Sequence, residues 1–303
     1  MEIILRAGNS ERIEIPDRPP PMQKNREVIN QWSESAPYWE KHRKIIGEMF
    51  APVTHALIQE AEITANCAVL DVATGPGEPA LSITEVIGPQ GKVVGTDAVP
   101  EMIEAARREG HRLGLRNVTF EVALDDCLPF PASTFDAVVS RFGVMFFASP
   151  VDSVRECLRV LKPGGRVAMA VWHFAEKNPF FYLVSQVVDR YVDAPPPDAD
   201  SPDAFRFANP GKLQAVLSNA GATATSEFLL RFSIEASISV EDFWTLRSEM
   251  SEKLRTKLAM LSKQQAAKLK RDVIEALSVY SSDRGISFPA EVLIVGGRKG
   301  LLE

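Results

Sequence analysis

The residues best suited to hold a ligand are an acid four positions ahead of a Gly-x-Gly turn at the end of an apolar run: Val69-Leu70-Asp71-Val72-Ala73-Thr74-Gly75-Pro76-Gly77-Glu78. Gly75 and Gly77 remove the Cβ atoms that would keep a ligand off the backbone, and a helix starting just after them presents free N–H groups. Gly75 to Ala80 also fits the dinucleotide fingerprint G-x-G-x-x-G/A, with Asp97 twenty residues past Gly77. Charge separates the two readings. A pyrophosphate on the turn would lie against Asp71, whereas the ammonium and sulfonium of S-adenosyl-L-methionine would be drawn to it, so the acid favours that donor over NAD. The structural alternative is that Asp71 caps the turn by accepting from nearby backbone N–H groups.

These residues need strands to position them. Cys67 to Ala73 reads as a first strand, Glu78 to Ile87 as a helix closed by Gly88-Pro89, and Lys92 to Asp97 as a second strand. Pro100 opens a helix carrying Met102, Ile103, Ala106 and Leu113 at helical spacing. Val118 to Val122, Phe135 to Ser140 and Arg166 to Trp172 read as strands three to five, with a helix over Asp152 to Leu161. The alternation predicts an α/β, doubly wound, mostly parallel sheet joined by right-handed crossovers.

The flanks read differently. A polar leader runs through Pro19-Pro20-Pro21, and Val28 to Glu60 is expected to be helical, with Trp32, Tyr38 and Trp39 among charges. Asp193 to Pro202 is expected to be an exposed acidic loop. Lys212 to Asn219 resumes a helix, and Thr225 to Ile234 and Val292 to Val295 can supply two last strands. Between them Phe243, Leu246, Met250, Leu254, Leu258 and Leu261 form one helical stripe, and Leu269, Val273, Leu277 and Tyr280 a second. The accompanying lysines and arginines read as a solvated face. The expected division is an N-terminal leader with lid helices over 1–64, a donor-binding core over 65–175, an insertion over 176–208, and a final segment over 209–303 with a helical cap insertion at 236–285.

Composition sets the bounds. The 303 residues are 45% hydrophobic and carry a formal charge of -6, with a pI near 5.5. That balance offers no general attraction to a phosphate backbone, so nucleic acid is not an expected partner. Cys67, Cys127 and Cys157 are widely spaced, with no C-x-x-C pair and no histidine at ligand spacing, which indicates neither disulfide framework nor metal site and fits a reducing, cytoplasmic setting. The run Met1 to Arg6 has no apolar signal region, and no stretch reaches the length of a membrane helix, so a soluble protein without stable membrane insertion is expected.

The blocks Val69 to Gly77, Val93-Val94-Gly95-Thr96-Asp97, Leu128-Pro129-Phe130, Thr134 to Val139 and Arg159-Val160-Leu161-Lys162-Pro163-Gly164-Gly165 together resemble a class I S-adenosylmethionine-dependent methyltransferase. Within that class the chain is most similar to the ubiquinone/menaquinone-biosynthesis type and its small-molecule relatives. The likeness covers residues 65 to 175 well and the flanks loosely. It implies a seven-stranded Rossmann-like sheet whose last strand inserts antiparallel. It also implies methyl transfer to a small acceptor, with N-terminal helices and insertions governing acceptor choice.

Residue by residue, the resemblance implies that Asp71 accepts, directly or through water, from the donor's amino group while Ala73, Thr74, Gly75 and Gly77 let the backbone approach its methionine portion. Ala73 replaces the family's first glycine, a departure tolerable at negative φ. Asp97 is placed to accept from both ribose hydroxyls. Ala98 and Met102 flank the adenine, with Met102 equally readable as core. Asp125 falls one position past the family's usual adenine-binding acid, so it either substitutes or is a loop carboxylate. Arg141 is placed to meet the donor carboxylate, the substrate or a structural acid. Leu161 to Gly165 reads as a tight turn, and Asp136 is given no chemistry.

In-line transfer from a sulfonium draws on alignment and exclusion of water, so a base is needed only when the acceptor must lose a proton. His173, just past the fifth strand, is the best-placed candidate, against a structural reading in which it is simply hydrogen-bonded. His42, His55 and Tyr38 are others, and Tyr38 could also close the pocket. Phe146, Phe147, Trp172, Phe180, Phe181 and Tyr182 are expected near an apolar, aromatic acceptor. The chemistry expected is O- or C-methylation. Two other classes stay open: an NAD-dependent oxidoreductase, and a catalytically silent module that only binds partners.

Overall fold

The computed structural model describes residues 23–192 and 200–301; the proline-containing leader and most of the expected acidic loop lie outside them. A twisted sheet carries the strands β1 (Ala68–Val72), β2 (Lys92–Asp97), β3 (Val118–Val122), β4 (Phe135–Arg141), β5 (Leu161–Trp172), β6 (Thr223–Ala236), β7 (Ser281–Ser282) and β8 (Gly285–Arg298). Their order is β3-β2-β1-β4-β5-β8-β6, with β7 paired to β8. The first five run parallel, and β8 enters antiparallel between β5 and β6. The expected seven strands with an inserted antiparallel strand are therefore present, joined by the two-residue β7 as an eighth.

Helices cover both faces: α1 (Gln23–Met49), α2 (Ala51–Glu60), α3 (Ala80–Ile87), α4 (Pro100–Arg112), α5 (Pro150–Val160), α6 (Pro179–Val188), α7 (Lys212–Asn219), α8 (Val240–Met250), α9 (Glu252–Ala259) and α10 (Lys263–Leu277). The middles of the central strands carry apolar side chains on both faces because helices bury them from both sides: Val69, Leu70, Val93, Val138, Val139, Ala168 and Met169 are fully buried. Proline sets several helix starts, its fixed φ suiting the first turn of α2, α4, α5 and α6. Serine does so in the cap, where Ser239, Ser251 and Ser262 accept from backbone N–H groups of α8, α9 and α10.

Three expectations on element boundaries change. The stretch Val28 to Glu60 is two helices broken at Phe50, with Pro52 in the first turn of the second. Leu161 to Gly165 is not a free turn but the start of β5, shifted in register against β4 between Phe135 and Ala137. Gly165 is required there, because a Cβ would lie 2.8 Å from the Asp136 carbonyl oxygen. The late strands are also longer, and β6 and β8 pair from Thr223 to Ala236 as a two-stranded arm reaching the cap. Among the described residues no helix is long and apolar enough to cross a membrane.

Helix α1 bridges α4 and α8. Glu40 accepts both Arg108 nitrogens at 2.9 and 2.8 Å, Arg43 meets Glu109 at 2.5 Å, and Lys41 and His42 meet Glu249 at 2.7 Å. A small apolar cluster of Ala36, Val99 and Met102, with Ile29, Trp32 and Trp39 against it, seats α1 on the start of α4.

Candidate functional site

The sheet order reverses between β1 and β4, and the crevice outside the strand ends at such a reversal is where open α/β sheets bind ligands. Here it holds a cleft of about 1220 Å³, its mouth included, with a floor of Ala73 to Pro76, Asp97 to Val99, Ala123 to Asp125 and Arg141 to Gly143. The roof is one face of α1: Ile29, Trp32, Trp39, Arg43 and Ile46, residues recurring at helical spacing.

The loops after β1 and β2 are tied together by Asp97. Its Oδ2 accepts from Gly75 N–H at 2.9 Å and its Oδ1 from Val99 N–H at 3.0 Å. Burial raises its pKa to about 6 against the pull of those N–H groups. Asp97 still reaches the cleft, and each carboxylate oxygen keeps a lone pair for a further donor.

Asp71 lies beneath the cleft, not on it. The residue is fully buried between β2 and β4, its Oδ2 accepts from Ala80 N–H at 3.1 Å, and its Oδ1 has no partner among the described residues. The Ala80 bond is the capping geometry at the start of α3, the structural alternative weighed from the sequence. Burial raises the Asp71 pKa to about 7, while the Thr74 hydroxyl and, more weakly, Arg141 oppose the rise. Thr74 Oγ1 and Ser140 Oγ are likewise buried without partners.

The acid of this turn that faces the cleft is Glu78. Its Oε2 accepts from Ser82 Oγ at 2.7 Å, and its side chain lies against Gly47 of α1. Arg141 lines the cleft beside it, donates to Thr54 Oγ1 at 2.9 Å, and has its pKa lowered by burial although Glu78 and Asp71 counteract this. Sequence reasoning missed Glu78; the available signal was an acid one residue past the second glycine, at the mouth of a helix.

Ala73 adopts φ 60°, the left-handed region that disfavours any side chain. The negative φ expected there is not found. Gly143 makes room for it, since a Cβ at 143 would stand 2.5 Å from the Ala73 Cβ. Thr74 and Gly75 line the cleft, with a Gly75 Cβ position opening into free space, while Gly77 sits behind them with φ 113° against Leu81. Ala98 and Met102 line the cleft, and Met102 is at the same time buried in the small cluster under α1, so both readings of it hold. Asp125 also reaches the cleft, accepts from Ser153 Oγ, and is pushed up to about 6 by burial.

His173 and Tyr38 are not brought to the cleft. His173 is buried with Nδ1 2.7 Å from Glu291 Oε2, because the β5–β8 register sets Trp172 opposite Val292 and so delivers Glu291 to the next residue. Tyr38 lies under the Arg255 guanidinium at 5.0 Å, one residue and thus about 100° around the helix from Trp39. His42 is bonded to Glu249, and His55 and His111 are exposed, so none of the four histidines lines the cleft. The aromatic set divides in the same way. Phe146 and Phe147 line the cleft with Phe50 and Phe142, whereas Trp172 and Phe180 pack behind them. Trp32 closes over Phe146 edge-on at 5.0 Å.

Comparisons with known proteins agree with this geometry. Residues 69–165 match the family described as a methyltransferase domain. The chain is 34% identical over 137 residues to the uncharacterized methyltransferase YcgJ of Bacillus subtilis, covering 45% of this chain and 50% of that protein. It is 36% identical over 121 residues to the aklanonic acid methyltransferase DauC of a Streptomyces species, covering 40% of this chain and 55% of that protein. It is 34% identical over 138 residues to the ubiquinone/menaquinone biosynthesis C-methyltransferase UbiE of a Marinomonas species, covering 45% and 53%. The chain spans about half the length of these relatives. The crystal structure of YcgJ superposes with a TM-score of 0.53 at 22% identity, over 82% of this chain and 97% of that one, which shows the fold. Nothing in these comparisons supports the nicotinamide reading. Residues 69–165 thus match a methyltransferase domain, and the chain shares its α/β fold with YcgJ.

Proposed function

We propose that the chain transfers a methyl group from S-adenosyl-L-methionine to a small aromatic acceptor. One observation carries the reading: the carboxyl ends of β1, β2, β3 and β4 open into a single cleft that joins a glycine turn, a strand-end acid and a roof of aromatic rings. The glycine cradle and the orphaned oxygens beneath it suit the donor.

In this reading Asp97 accepts from the ribose hydroxyls, Ala98 and Met102 flank the adenine, and Asp125 takes its amino edge. Ala73, Thr74 and Gly75 bring the backbone to the methionine portion, which Gly77 supports from behind. Glu78 meets the ammonium, with Asp71 adding negative potential from below, and Arg141 takes the carboxylate. When bound, the donor supplies an electrophilic methyl on a sulfonium. The protein's own contribution is to align an acceptor against Phe50, Phe142, Phe146 and Phe147 and, through α1, to exclude water. With every histidine off the cleft, no side-chain imidazole serves as base, and O- and C-acceptors that ionise readily fit best.

The acceptor class rests on the ring-lined wall. UbiE, named for quinone biosynthesis, and DauC, named for aklanonic acid, point the same way. Nucleic acid is not part of the proposal. A cytoplasmic location is, on the ground that all three cysteines are unpaired. So is the division into N-terminal lid helices, donor core and helical cap. Incubation with isotopically labelled donor and extracts rich in phenols, quinols and aromatic acids, read by mass spectrometry, tests the reaction. A labelled small molecule is expected; donor binding with no labelled product in any extract would leave a binding module instead.

A further inference from the structure

Far from the cleft, the sheet ends in a long edge. Strand β6 pairs with β8 from Thr223 to Ala236, and among the described residues no strand lies on its other side. Successive residues of an antiparallel strand turn their N–H and C=O groups to alternate sides, so every second residue of β6 offers its pair outward. Gln214 Nε2 reaches the Thr225 carbonyl at 3.3 Å. The side chains are those of an accessible edge: Phe228 is 42% exposed and the Arg231 side chain 72%, and Thr223, Ser233 and Glu235 are exposed as well. A bare edge of this length is a template for a further strand.

The residues of β6 say which strand fits. Two copies meeting edge to edge about a two-fold axis along the sheet normal run antiparallel and keep like faces together, which puts the axis on a residue. An axis on Leu229 uses the strand from Thr223 to Glu235. It sets Glu227 opposite Arg231 of the second copy, Arg231 opposite its Glu227, and Phe228 opposite its Leu230. Neighbouring axes lose this match. On Arg231 the axis sets that residue against itself and Glu227 against Glu235; on Phe228 or Leu230 it leaves each charge facing an uncharged residue. An axis on Ser233 pairs Arg231 with Glu235 but keeps only Leu230 to Ala236. The faces also fit. Glu227 is held against the start of α7 by the Gly211 N–H, at 2.8 and 3.0 Å, whereas Ser233 and Glu235 on the same face stand open. The covered end of each strand therefore meets the open end of the other.

We infer that a second copy of this chain docks on β6, continuing the sheet across a two-fold axis at Leu229. The backbone ladder joins the copies, the two Glu227–Arg231 pairs fix the register, and Leu230 of each copy covers the exposed Phe228 of the other. Arg231 is free to do this, because it spends only Nε on Glu291, at 3.1 Å. The dimer stands independently of the methyl-transfer reading.

Sedimentation velocity over a range of concentrations tests this on the full chain. Wild type is expected to be a dimer that dissociates on dilution. Arg231→Glu, which turns both ion pairs into like-charge contacts, should weaken the dimer about tenfold or more, and Arg231→Lys should keep it. An unchanged circular-dichroism spectrum shows that the exposed-site variant still folds. Chemical cross-linking reads the register directly. In a Cys127→Ser background, which removes the exposed native thiol, Leu229→Cys should be joined into a dimer by a short bis-maleimide. Ser233→Cys, at a more exposed position but opposite Thr225 of the second copy, should not. A monomer at every concentration would overturn the inference and leave the edge to a strand of another protein. So would a dimer that Arg231→Glu leaves intact, or Ser233→Cys cross-linking as readily as Leu229→Cys.

Discussion

Replacing Asp71 with asparagine should stabilise the ligand-free protein, and by an amount that grows with pH. Asp71 is fully buried, its Oδ1 has no partner, and burial carries its pKa from 3.8 to about 7. A folded-state pKa above the unfolded value means that stability is fully present at low pH and is lost as pH rises toward the folded pKa. At 1.36 kcal/mol per pKa unit the full effect is about 4 kcal/mol, of which about 2 kcal/mol falls between about pH 5.5 and about pH 8.5. Asparagine keeps an oxygen for Ala80 N–H, and its amide can donate toward the Thr74 hydroxyl without titrating. Urea unfolding of wild type and Asp71→Asn at both pH values measures the difference. The advantage of the variant should widen by about 2 kcal/mol toward the alkaline end. A pH-independent difference would refute the reasoning, because it would mean that Asp71 is already ionised at the acid end.

The strained turn gives a second expectation. Ala73→Gly relieves a left-handed alanine worth roughly 1–2 kcal/mol, offset by roughly 0.5–1 kcal/mol of added chain entropy, so a gain of up to about 1.5 kcal/mol in urea unfolding is expected. Gly143→Ala should cost about 2 kcal/mol through the 2.5 Å approach to the Ala73 Cβ, and Ala73→Gly should recover part of it; strict additivity would show that the two do not touch. Glu78→Gln should weaken S-adenosylhomocysteine binding about tenfold while leaving 5′-methylthioadenosine, which lacks the amino acid, unchanged. Equal losses for both ligands would move Glu78 away from the ammonium.

Much of the core was readable in the sequence because its signals are local. Strand periodicity, prolines at helix starts and glycines in a tight turn act over a few residues, and β1 to β5 follow the expected order. What could not be read depends on distant pairing. Whether Asp71 or Glu78 meets the cleft is decided by where α3 begins and by Gly47 of α1 arriving against Glu78. His173 is drawn to Glu291, 118 positions away, by the register of a strand near the other end of the chain. Trp39 rather than Tyr38 faces the ligand space because of the helix's rotation on the core, which the spacing of its rings constrains but does not settle.

The central claim is that the cleft binds the donor's adenosine through Asp97. Calorimetric titration of wild type and Asp97→Ala with S-adenosylhomocysteine and, in parallel, with NADH tests it most directly. The account expects one S-adenosylhomocysteine per chain, at least about tenfold weaker in Asp97→Ala because hydrogen bonds to an ionised acceptor are lost, and no NADH binding. Binding of NADH without S-adenosylhomocysteine, or undiminished S-adenosylhomocysteine affinity in Asp97→Ala, would contradict it.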